Sequence, residues 1–148
     1  MKYQLSFATL NLIASNIVEI VINKNVEVSL EMLDELDELI AKLFPQEPFG
    51  VLMNKVYFHR FSFEVKLCMG SYENLAAFAV VNYSEEALND SKSIQALRRV
   101  DNWNIKNFSG LELGWQEAEK WLNSELQKTE LMISQFERMQ NTENKLSA

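Results

Sequence analysis

Apolar and polar residues alternate in blocks along this chain, and each block has its own period. Residues 3–13 and 16–23 read as two strands with a turn near Ala14, Ser15 and Asn16. In the second, NIVEIVIN, Val18, Ile20 and Ile22 alternate with Ile17, Glu19 and Val21, so one face is wholly apolar and the other mostly so. The short spacing between the runs predicts an antiparallel hairpin. SLEMLDELDELIAKLF then changes to a helical period. Leu30, Leu33, Leu36, Ile40 and Leu43 or Phe44 form its apolar stripe, Ser29 is its N-cap, and Glu31 suits the positive end of its dipole. Pro45 and Pro48 stop it. The acidic residues between the leucines form the wet face that an amphipathic helix requires.

FGVLMNKV (49–56) is a second buried run. It leads into NKVYFHRFSF (54–63) and then FEVKLCMG, a short helix closed by Gly70. In ENLAAFAVVNY the segment Leu75–Val81 has no polar residue, which predicts a strand covered on both faces. A helix beginning at Ser84, Glu85 and Glu86 is expected to turn Ala87, Leu88, Ile94 and Leu97 toward the core. Trp103–Phe108 alternates as a half-exposed strand, and a closing helix starts near Ser109 and Gly110. This order predicts an α/β fold. Its mixed, mainly parallel sheet has four or five strands, an N-terminal antiparallel hairpin, covering helices and right-handed crossovers.

The closing helix is too long for its domain. From Leu111 to about Met139 only Gly114 interrupts it, and about 28 residues would span ~42 Å. Trp115, Ala118, Leu122, Leu126, Thr129, Ile133 and Phe136 recur in steps of three or four. The first half covers the sheet, and the second half must fold back, meet another subunit or stay exposed. A homodimer paired through Leu126, Ile133 and Phe136 is therefore expected, with 1–123 as the domain, 124–148 as a helical extension that is not a separate domain, and NTENKLSA as a frayed tail.

Composition narrows the function classes. At 148 residues the chain has the length of one domain with a real core. Its 14 basic and 21 acidic residues give a net charge of −7, which disfavours a nucleic-acid surface. A single cysteine, Cys68, suits a reducing, cytoplasmic setting and is expected to pack as a small hydrophobe on the short helix. The start of the chain has Lys2 before apolar residues, but Gln4, Ser6, Asn11, Asn16 and Glu19 interrupt them, so it reads as a strand and not a signal peptide. No run reaches the ~18 apolar residues of a membrane span. Four scattered glycines build no phosphate loop, and paired His and Cys ligands are missing, so neither a cofactor nor a metal is expected.

Candidate chemistry gathers in NKVYFHRFSF. The only histidine, His59, stands three residues before Ser62, a spacing at which an enzyme could pair base and nucleophile. As structure, Ser62 caps the helix that follows; as function, it accepts a phosphate beside Arg60 at a helix N-terminus. Tyr57, His59, Arg60 and Ser62 are the expected contacts for a partner or ligand.

The order of strands and helices, with FGVLMNKVYFHRFSFEVKLCMG followed by ENLAAFAVVNY, resembles the STAS-like superfamily of anti-sigma-factor-antagonist-like domains. It is most similar to the small bacterial stand-alone members, over roughly residues 3–122. The resemblance implies a non-enzymatic module for regulation or protein interaction. Regulatory members carry an Asp-Ser-Ser/Thr-Gly-type motif with a phosphorylated hydroxyl where a strand meets a helix. Here that junction is YFHRFSFE, with Ser62 as its hydroxyl and without the neighbouring aspartate and glycine. Relatives of similar topology bind lipids, which adds a small apolar ligand between helix and sheet as an alternative.

Overall fold

The computed structural model describes residues 1–147. The first run is two strands, not one. β1 (Lys2–Gln4) folds back antiparallel on β2 (Ala8–Ala14), with Tyr3 opposite Leu10. The break falls where Leu5 N–H bonds Ala8 O at 2.9 Å and Phe7 drops into the core. β2 then pairs antiparallel with β3 (Ile17–Ile22), Leu10 facing Ile20, as the hairpin pattern requires.

β4 (Glu27–Val28) precedes α1 (Leu30–Leu43), which Ser29 caps by accepting from Met32 N–H at 3.3 Å. β5 (Phe49–Asn54), β6 (Arg60–Phe61) and α2 (Phe63–Cys68) follow, then β7 (Leu75–Asn82), α3 (Glu85–Leu97), a 3-10 turn at Arg99–Asp101, β8 (Ile105–Ser109) and α4 (Gly114–Ser147). The main sheet has six strands in the order β1-β2-β3-β5-β7-β8, one more than the upper expectation because β1 is separate. From β3 to β8 the strands run parallel and add in one direction across the sheet. Successive crossovers of one hand therefore place α1, α2 and α3 on the same face.

The alternation within each strand divides the core between two faces. Val18, Ile20, Val51, Met53, Phe78 and Val80 pack with Leu36, Ile40, Val65 and Ile94 under the first three helices. Ile17, Leu52, Ala77, Ala79 and Val81 face the other way, onto Ala118, Leu122 and Leu126 of α4. The second face is built of small side chains, so α4 lies close: a Cβ on Gly50 would stand 3.1 Å from Leu122 Cδ2. Gly70, at φ +73°, ends α2 in the left-handed region that glycine tolerates.

Several expectations need correction. α4 begins at Gly114, later than Ser109–Gly110, because Gly110 N–H still bonds Asn82 O at 2.7 Å at the sheet edge. Its helix runs on through residues 141–147, where a frayed tail was expected; Ala148 lies outside the described residues. The expected division at residue 123 lies inside α4, as a boundary within the closing helix must, and Leu126 just beyond it is 2% exposed. Leu97 is 45% exposed, not in the core, since the sheet-facing row of α3 is Ser91, Ile94 and then Arg98. Cys68 is exposed as well, its thiol donating to Glu64 O at 3.2 Å.

Candidate functional site

Parallel strands end side by side, and the loops leaving their carboxyl ends form a crevice where α/β folds commonly bind ligands. Here the loops after β5 and β7 enclose a cavity of about 580 Å³. Lys55–Phe61 forms one wall, and Tyr83, Ser84, Glu86, Ala87 and Asp90 form the opposite one.

NKVYFHRFSF reaches this place by a pairing that its local pattern conceals. β4 and β6 form a two-stranded parallel ribbon outside the main sheet. Arg60 N–H bonds Val26 O at 2.9 Å, Ser62 N–H bonds Val28 O at 3.0 Å, and Asn25, at φ 63°, donates to Phe58 O at 2.7 Å. The ribbon alternates exposed Arg60 with buried Phe61, so the segment presents its residues in turn to solvent and core.

Of the four expected contact residues, Tyr57, His59 and Arg60 line the cavity, and Ser62 is spent elsewhere. Ser62 Oγ accepts from Val65 N–H at 3.3 Å, the capping role read from the sequence. Ser62→Ala should therefore destabilise the fold by about 1 kcal/mol, read from urea denaturation midpoints at unchanged m. Arg60 lies exposed over the Phe58 ring at 5.3 Å.

His59 is 5% exposed, its ring edge-on to Phe61 at 5.1 Å. Its Nδ1 is 3.0 Å from the Tyr57 carbonyl, a contact that places the proton on Nδ1. Nε2 is buried without a partner. Burial pushes the imidazole down to about 4, outweighing the Tyr57 carbonyl, which favours the charged form. No hydrogen bond joins His59 to Ser62, so the base–nucleophile pair is not assembled.

The residues that the sequence reading missed are the charged ones facing His59. Lys55 Nζ is 3.5 Å from Asp90 Oδ2, and Lys66 Nζ is 3.9 Å from Oδ1 of the same carboxylate. Lys55 is 8% exposed, and burial lowers its pKa against the opposing pull of Asp90. A signal did exist: Lys55 comes just after the apolar run of β5 and its closing Asn54, and Ser84 comes two residues after β7. The two become neighbours only when β5 and β7 pair. Beneath them Tyr83 OH donates to Asn54 Oδ1 at 2.7 Å, and Asn54 and Trp115 both donate to Glu19, at 3.1 and 2.8 Å. This network ties the cavity floor to the start of α4.

Among the described residues no His, Cys, Asp or Glu cluster fit for a metal ion forms, and no helix is long and apolar enough to cross a membrane. Between the helix layer and the sheet, the cavities that Phe61 and Met69 help to line hold about 20 Å³ each, too little for a lipid chain. Comparison of the chain with family models, curated proteins and solved structures finds no match.

Proposed function

We propose that this protein is a non-enzymatic regulatory or protein-interaction module of the STAS-like type, which works in the cytoplasm as a homodimer paired along α4. The observation that carries this reading is the overhang of α4. Leu126 is its last buried apolar residue, and about 31 Å of helix continues beyond it. Met132, Phe136, Met139 and Leu146 recur at helical spacing on that overhang, each 60% exposed or more, with Ile133 beside them at 42%. An unpartnered apolar stripe of this kind favours contact with another surface.

A second copy suits the stripe on charge. Beyond Leu126 the basic residues Lys128, Arg138 and Lys145 balance Glu130, Glu137 and Glu143, so two overhangs do not repel although the chain carries −7. Leu126, however, is committed to the sheet of its own chain, which leaves Ile133 and Phe136 of the three residues expected to pair. The surface for a different protein partner is the neighbourhood of Tyr57, where Val56, Tyr57 and Phe58 are each about half exposed. The free Cys68 thiol suits a reducing compartment.

Light scattering of the full chain at tens of micromolar should give twice the mass of one chain. A chain ending at Glu130 keeps Leu122 and Leu126 on the sheet and should be a folded monomer. Full-length protein at the mass of one chain would overturn the pairing.

A further inference from the structure

The charged lining of the cavity at the ends of β5 and β7 divides by exposure. Glu27, Arg60 and Glu86 lie on its exposed rim, where water and salt screen them. Less exposed are the side chains of Lys55 at 6%, Lys66 at 31% and Asp90 at 33%. One carboxylate thus faces two ammonium groups, and neutral His59 beside them adds no charge. Over the whole lining three basic and three acidic side chains balance, and the less exposed set, Lys55, Lys66 and Asp90, has one more basic than acidic group in a chain that is acidic as a whole. α3 adds to it, because Ser84 and the positive end of the helix dipole border the same space.

The remaining lining is mostly aromatic, with Val56 and Ala87 beside the rings. Phe58 and Phe61 are occupied within the chain, by Arg60 at 5.3 Å and Lys55 at 5.9 Å. Tyr57 and Tyr83 bound the cavity from its two walls, and Tyr83 is held by its hydrogen bond to Asn54. At about 580 Å³ the space lies within the ~300–1,000 Å³ typical of small-molecule sites.

We propose that this cavity binds a small organic monoanion, a carboxylate received by the Lys55–Asp90–Lys66 cluster and carried on an apolar or aromatic body between Tyr57 and Tyr83. The carboxylate gives Lys66 a closer partner than Asp90 Oδ1 at 3.9 Å, and it offsets the second ammonium group facing that one carboxylate. This site is separate from the α4 overhang and does not depend on pairing.

Benzoate is the probe, titrated at constant ionic strength into the isotope-labelled full chain while its amide resonances are followed. Benzylamine and acetate serve as parallel titrants. Benzoate should produce saturable shifts centred on Lys55, His59 and Ser84. Acetate, lacking the body, should bind at least roughly tenfold more weakly, and benzylamine should not saturate. Lys66→Met, a change at a side chain 31% exposed that leaves the core intact, should weaken benzoate roughly tenfold; Lys55→Met should abolish its binding. Unsaturable or scattered shifts with benzoate, equal binding of benzylamine, or unchanged benzoate affinity in Lys66→Met would each overturn the assignment.

Discussion

Between pH 6.5 and pH 4 the fold is expected to lose about 3 kcal/mol of stability through His59 alone. The folded imidazole titrates near 4 and the unfolded one near its ordinary 6.5, because the buried ring cannot be charged without losing its hydration. As pH falls through 6.5 the unfolded chain takes up the proton first, and the native state resists until about 4. The contribution is therefore complete above 6.5, shrinks across that window and is constant below it. The proton on Nδ1 already serves the Tyr57 carbonyl, so acid must charge Nε2, which has no acceptor within reach. Lys55 opposes that charge and Asp90 favours it, and both effects are smaller than burial. Asp37 acts in the opposite sense. Burial raises its carboxyl, against the lowering effect of the Tyr72 hydrogen bond, so it gains native stability as it protonates in acid. Urea unfolding of wild type and His59→Phe at several pH values isolates the histidine, since every other group is common to both. Parallel stability profiles for the two proteins would show that His59 does not carry the effect.

Replacing Leu122 by alanine should destabilise the protein by about 3 kcal/mol, within the range for a fully buried leucine. At this chain length that is roughly a 9 °C fall in Tm. Leu122 is 0% exposed and sits on the floor made by Gly50 and its neighbours Ala77 and Ala79. This face of the sheet has one helix over it, so little surrounds the gap that could collapse into it. Phe136→Ala, farther along the same helix, removes a 60% exposed ring and should leave the unfolding of monomeric protein within about 0.5 kcal/mol of wild type. Calorimetry of the two variants compares the two halves of α4 directly. Equal losses would mean that the overhang packs on its own domain.

The contrast within α4 shows how far a residue pattern can be read. Trp115, Ala118, Leu122, Leu126, Ile133 and Phe136 recur with one helical period, yet the sheet covers the stripe only as far as Leu126. Periodicity identifies the apolar face of a helix and carries no information about where its cover ends. The caps were legible for the opposite reason. Ser29 and Ser62, the two read as caps, each accept from an amide three residues on, a local interaction set within one turn, and Ser84, read only as a helix start, does the same. Leu97 and Arg98 mark the limit on α3. A hydrophobicity pattern assigns the leucine to the core, but Arg98 is buried there with hydrogen bonds to Asp101, Ser71 and the Met69 carbonyl and the Trp103 ring 4.2 Å away.

Local periods and turn chemistry were enough to establish the α/β class, the hairpin, the doubly covered β7, the helix caps and an overlong closing helix, because each depends on residues a few positions apart. The sixth strand, the β4–β6 ribbon and the grouping of His59 with Lys55, Lys66 and Asp90 came from pairings across the sheet and between elements. His59 and Ser62 stand three residues apart and do not meet, whereas Lys55 and Asp90 stand far apart in the chain and form an ion pair. Strand register and crossover direction bring those groups together, and neither is encoded in the spacing of any single segment.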